Sequence, residues 1–374
     1  MPTAVQDIVA ALFELAPADL AADWDNVGLL AGDPSAPVSG VAIALDPTPA
    51  AVAAAAAAGA QLLVTHHPIL FSPHRRVRTD EPEGEIIAAA LRARVAICAM
   101  HTNADRVRGG LNDLLAQGLR LRDVEVLEPS PPTGLLKLAV FVPLDHADAV
   151  RQAMAAAGAG RLGAYAECSF NSPGTGTYRP LPGAQPYAGA AGELARAEEL
   201  RLEMLVPRRT LPAVLSAMLA AHPYEEVAYD LYPLENPFPG AGDGRIGRLD
   251  PPRSLQALAQ AAQKFLQAPA LRVVGEPEKT INTVAVASGS AGSLVARAAA
   301  RGAEAMLLGE CQHHHVLLAR QLGLALLEAG HHATERLIIP YFVTYLNGRF
   351  PDLAVIAHEV PADRFLVAGQ EEGE

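Results

Sequence analysis

Eight of the twelve histidines stand just past the ends of four apolar runs, and no other feature constrains the fold as tightly. The runs are LLVT before His66 and His67, AICAM before His101, AMLLGE before His313 to His315, and LALLEAG before His331 and His332. Each reads as a strand, and helical patterns separate one from the next. Strands alternating with helices predict an α/β fold around a parallel sheet. In such sheets the ligand crevice lies beyond the carboxyl ends of the strands, so the four tips are expected to converge.

The alternation has an interruption. Residues 1–125 read as βαβ units, beginning with an amphipathic helix in MPTAVQDIVAALFELAPADL and a strand in GVAIALD. From about residue 126 a strand LLKLAVFVP, a helix in DHADAVRQAMAAAG, a Gly/Pro-rich hairpin region, a strand LRLEMLVP, a helix in LPAVLSAMLAAH and a strand EEVAYDLYPL predict a compact α+β unit of ferredoxin-like size. The α/β pattern returns over 244–374. The expected organisation is therefore two α/β halves, 1–125 and 244–374, with an α+β insert at 126–243.

Composition narrows the partners. A net charge of -12 leaves no basic excess to neutralise phosphates, which argues against nucleic acid or an anionic membrane as the main partner. Cys98, Cys168 and Cys311 are odd in number and far apart, with no CxxC pair, as expected of a reduced, cytoplasmic compartment. The longest alanine-rich stretch, AVAAAAAAGAQLLV, is too short to span a bilayer.

Three motifs carry chemistry. In HTNAD, Asp105 follows His101 by four residues just past a strand end, where it either aims a carboxylate across the sheet rim or caps the next helix. In GHHATE, His331 and Glu335 are i and i+4 on a helix whose entry is eased by Gly330, a spacing that offers two ligands to one metal. In LLVTHHPILF, adjacent side chains on an extended strand point to opposite sides, so His66 and His67 suit two neighbouring ions better than one; Pro68 ends the ladder. Imidazole with carboxylate and no thiolate suits zinc, manganese, iron or cobalt. Two such ions would provide a metal-bound hydroxide nucleophile, and hydrolysis is the natural reaction class.

WDNVGLLAGD, THHPILF, HTNAD, GECQHHH and GHHATE, in this order, resemble the motifs of the NGG-one interacting factor three family, whose bacterial members are described as GTP cyclohydrolase I type 2 homologues. The resemblance covers the two α/β halves, and GTGTYRP and HPYEEVAYDLYPL in the middle resemble a CutA-like or PII-like insert. It implies a dinuclear centre of two divalent ions per subunit, held by His66, His67, Asp105, His331 and Glu335 with Glu335 as bridge. It also implies a toroidal homohexamer and a small-molecule substrate, a nucleotide being one candidate. On this reading His101 and His314 lie near the centre as candidate proton shuttles or orienting partners. Asp25 and Asn26 would line the site and Trp24 would pack. Three activities remain open: a GTP cyclohydrolase-like hydrolase, a phosphohydrolase acting on a nucleotide or phosphoester without a P-loop, or a ring-shaped regulatory scaffold with structural metals.

Overall fold

The computed structural model describes residues 2–130, 134–163, 165–236 and 240–359. It divides into two compact units, one made of Met1–Ser130 with Phe238–Glu374 and the other of Pro131–Pro237.

In the larger unit the first four strands, β1 (Gly28–Ala31), β2 (Gly40–Ala44), β3 (Leu62–Thr65) and β4 (Ala96–Ala99), precede an edge strand, β5 (Arg122–Pro129). The smaller unit carries β6 (Leu135–Pro143), β7 (Ser169–Tyr178), β8 (Ala195–Pro207) and β9 (Tyr229–Pro233). The chain then returns with β10 (Gly242–Ser254), β11 (Arg272–Val274), β12 (Thr280–Ser290), β13 (Ala305–Glu310), β14 (Ala325–Glu328) and β15 (Ala354–His358).

The larger unit contains two sheets, ordered β1-β4-β3-β2-β15 and β11-β14-β13-β12-β10-β5. β15, β2, β3 and β4 are parallel, as are β12, β13 and β14; β1 joins the first sheet antiparallel at the edge opposite β15, and β11 on one side and β10 with β5 on the other flank the second antiparallel. The central strands β2, β3 and β4 are buried at every residue, the expected pattern when helices cover both faces. On one face Val5–Leu15 and Ile338–Arg349 pack through Ile8, Leu12, Ile339 and Phe342. On the other, Pro49–Ala57 and Pro82–Ala93 contribute Val52, Ile87 and Ala90. The second sheet is covered likewise, with Leu255, Leu258 and Leu266 of the Leu255–Leu266 helix on one side and Val295 and Ala298 on the other.

The two sheets are not the two halves of the sequence. β15 comes from the far end of the chain yet pairs in parallel with β2, and β5 precedes the insert yet pairs antiparallel with β10. Two halves joined by an exchange of edge strands form one compact unit, as expected of two α/β halves that build a single fold. The larger unit keeps residues to Ser130 and resumes at Phe238 because β5 and β10 pair across the expected boundaries, Pro129 lying opposite Gly242. β5 escapes sequence reading because its RDVEVLEP is mostly exposed and charged, the character of an edge strand.

The smaller unit is a four-stranded antiparallel sheet ordered β7-β8-β6-β9. Helices Ala147–Ala156 and Leu211–Ala221 pack Val150, Met154, Val214 and Met218 against Leu138, Val140, Leu202 and Met204. Its chain order is βαββαβ.

Candidate metal centre

Three strand tips deliver the side chains. β3 ends at Thr65, and His66 and His67 follow while the backbone is leaving the sheet: their amides still bond to Ala44 and Leu45 carbonyls. The two rings therefore turn to the same region, with centroids 5.2 Å apart. After β4, His101 precedes the short helix Thr102–Arg106 that carries Asp105. After β14, Gly330 takes φ +94°, a conformation that favours glycine, and the helix His331–Glu335 begins at once.

The structure brings together His66, His67, Asp105, His331 and Glu335, and His101 with them. His66 Nε2 lies 3.6 Å from Asp105 Oδ1 and 3.9 Å from Glu335 Oε2. Glu335 Oε2 also lies 3.0 Å from Nε2 of both His67 and His331. Two overlapping groups have the spacing to hold an ion, His66 with His67 and His101, and His67 with His331 and Glu335. Gly289 is needed beside them, because a Cβ there would lie 2.2 Å from Glu335 Oε1.

Each ring is held by its other nitrogen. His66 Nδ1 donates to the Met100 carbonyl at 2.9 Å, His67 Nδ1 to Asp46 at 2.7 Å, and His101 Nδ1 to Asp25 at 2.8 Å. His331 Nδ1 is 3.2 Å from Glu310. These acceptors select the tautomer that leaves every Nε2 lone pair facing the cluster, the arrangement that metal-binding histidines use. His66 Nε2 is buried with no hydrogen-bond partner, and it lies 3.9 Å from Glu335 Oε2, which the Nε2 atoms of His67 and His331 already meet. A buried ring nitrogen is rarely left so, and a cation between it and the Glu335 carboxylate would satisfy it.

The electrostatics agree. Burial pushes His66 down to about 3, leaving a neutral imidazole. Burial opposes charge on His67 too, yet Asp46 and Glu335 outweigh it and raise its pKa to about 10. The bond to Glu335 raises His331 to about 9. Burial and then the charge of Glu335 lift the Asp105 carboxyl well above its ordinary range. Burial also works to raise Glu335, but His331 and His67 hold it below the usual carboxylate range. The pocket thus draws positive charge, which here protons on His67 and His331 supply and a divalent cation would supply better. The donors are imidazole and carboxylate, which suits zinc, manganese, iron or cobalt.

His314 stands elsewhere. It is exposed at the start of the helix His313–Gln321, tilted against His315 with centroids 3.9 Å apart, and it does not line the cavity at the centre. Its strand tip contributes Glu310 instead. Trp24 was expected to pack, and it is 62% exposed at the cavity rim. Asp25 is buried and bonded to His101 and to Thr102. Burial works against its charge, but the His101 bond leads the effects that hold its pKa at about 2. Asp46, which orients His67, was missed; the polar residue closing the run GVAIALD was the available signal.

The cavity, about 740 Å³, has His67, His101 and His331 on one wall and Ser288, Ser290 and Ser293 on another. Arg106 reaches it but is already clamped by both oxygens of Asp243 at 2.8 and 2.9 Å. Arg245, almost fully buried, ties Asp113 and the carbonyls of Arg106 and Val107 to the start of β10. Asn112 accepts from the Ser288 amide at 2.9 Å. These bonds fix the segment bearing Asp105 against the second sheet.

Comparison with known proteins gives one consistent result. The family model described as Duf34/NIF3 (NGG1p interacting factor 3) matches residues 3–363. A protein of Halalkalibacterium halodurans called "GTP cyclohydrolase 1 type 2 homolog" is 40% identical over 96% of this chain and 97% of its own length. A Bacillus subtilis protein of the same name is 37% identical over 88% of each chain. Among solved structures, a Bacillus cereus protein related to NIF3 superposes with a TM-score of 0.76 at 35% identity, covering 98% of this chain and 100% of that one.

Proposed function

The chain belongs to the Duf34/NIF3 family, and from that footing we propose that it is a dinuclear metal-dependent hydrolase. His66, His67, Asp105, His331 and Glu335 would hold two divalent ions, with Glu335 between them. The observation that carries this reading is the pair of overlapping groups, His66 with His67 and His101 and His67 with His331 and Glu335, in which each ring is anchored through Nδ1 and the buried His66 Nε2 has no hydrogen bond. When bound, such ions act as Lewis acids and bring a water's pKa towards neutrality. Asp46, Asp25 and Glu310 keep the rings aimed. His101, which lines the cavity and is backed at Nδ1 by Asp25, is the group best placed to move a proton at the substrate.

The name shared by the relatives supports a GTP cyclohydrolase-like reaction on a nucleotide as the first substrate to test. Metal-reconstituted protein should release formate from GTP, and a His66→Ala, Glu335→Ala variant should not. Release of phosphate in place of formate would move the assignment to a phosphohydrolase. The βαββαβ order and strand order of the inserted unit support reading it as a ferredoxin-like, CutA-like or PII-like module. We place the protein in the cytoplasm as a hexamer; among the described residues no helix is long and apolar enough to cross a membrane. Turnover absent from a broad screen, together with collapse of the hexamer on chelation, would favour the scaffold reading.

A further inference from the structure

We propose that Trp24 and Phe71 form a stacking platform for a flat, unsaturated ring of the substrate at the mouth of the metal cavity. The proposal rests on reading that cavity as the substrate site and names what it accepts. Both rings line the cavity, yet Trp24 is 62% and Phe71 54% exposed, an unusual cost for two large apolar side chains. They stack on each other at 6.5 Å and 29°, and each meets His101 edge-on, at 5.8 and 5.9 Å. The pair is built in place. Asn26 Nδ2 donates to the Leu70 carbonyl at 2.7 Å, tying the two loops together, while the intervening Asp25 is bonded to His101 and Thr102.

A surface fixed in this way, apolar and beside the reacting centre, suits the face of a heteroaromatic ring and would bring its edge towards His101. The rest of the lining argues that the ring supplies the affinity. Asp46, Asp105, Glu128, Asp243 and Glu335 are acidic, and Arg106 is committed to Asp243. Trp24 is the single tryptophan in the chain, so its emission reports on this platform alone.

Guanosine and adenosine, titrated into metal-loaded protein, should quench that emission saturably, whereas ribose 5-phosphate and inorganic phosphate should leave it unchanged. Phe71→Ala should weaken nucleoside binding about tenfold or more, within the range for stacking on an aromatic side chain. Its metal content should stay at the level of the unaltered protein. By equilibrium dialysis, Trp24→Ala should show a similar loss and Trp24→Phe should restore most of the affinity. An equal response to ribose 5-phosphate, or nucleoside affinity indifferent to both alanine variants, would overturn the platform. So would emission that follows protein concentration and ignores nucleosides, which would mean that a second copy of the chain covers these rings. Binding is read without turnover, so absence of hydrolysis leaves this test intact, and loss of nucleoside binding leaves the metal centre intact.

Discussion

The tip of β3 and the tip of β13 each carry adjacent histidines, yet only one builds a site. At β3, His66 is fully buried and His67 partly so, and Met100 and Asp46 hold their Nδ1 atoms so that Nε2 faces inward. At β13, His313 and His314 are exposed at the start of a helix, and His314 lies against His315. Both tips satisfy the rule that ligands gather beyond the carboxyl ends of parallel strands. What separates them is an acceptor behind each ring, because without one an imidazole has no preferred tautomer and no fixed aim.

The largest test of this contrast removes the shared carboxylate. Glu335→Ala should abolish binding of both ions, measured as metal per subunit after reconstitution, and retention of a full complement would contradict the shared position of Oε2. Next, His66→Ala and His67→Ala should each lose a different ion. Asp105 is close to His66 while His331 reaches Glu335 beside His67, so anomalous scattering should find the remaining peak in different places. Loss of the same ion from both would merge the two positions into one. Asp46→Asn should weaken metal affinity by roughly 10- to 100-fold, the usual scale for removing an orienting partner, with little change in fold.

Acidity offers a further handle. Without metal, His67 holds its proton up to about pH 10 and His331 up to about pH 9. Both folded values are raised, so the stability they contribute to the metal-free protein is fully present below the ordinary histidine pKa and is lost as pH rises through 9 and 10. A metal must displace these protons, so its apparent affinity should climb as pH rises from 6 to 9. Calorimetry in buffers of different ionisation enthalpy should register proton release on binding; uptake would reverse the assignment. The smallest effect is expected at the other tip, where His314→Ala should leave metal content unchanged and stability within about 0.5 kcal/mol, as for an ordinary surface position. A loss of metal there would erase the contrast.

Much of the site was legible because its motifs are local. His66, His67 and Pro68 are contiguous, and His331 and Glu335 share a helical turn, so spacing forecast the second pair's geometry, whereas the two β3-tip rings turn to the same region because the backbone is leaving the sheet. Continuous apolar runs likewise marked β2, β3, β4, β13 and β14. β1, β5 and β11 were not legible as strands: they lie at sheet edges, where few side chains are buried and pairing with a distant strand supplies most of the reason to be extended.

By itself, then, the sequence determined the α/β character, the presence of an insert and the residues capable of binding metal, because hydrophobic period and side-chain chemistry are properties of short stretches. Only the tertiary structure decided that β5 and β15 cross between the halves and that His101 joins the cluster while His314 does not. It also decided that Asp46, Asp25 and Glu310 stand behind the rings and that Trp24 faces the cavity. Each of these depends on residues 21 to more than 300 positions apart meeting in space, and no local pattern encodes such a meeting.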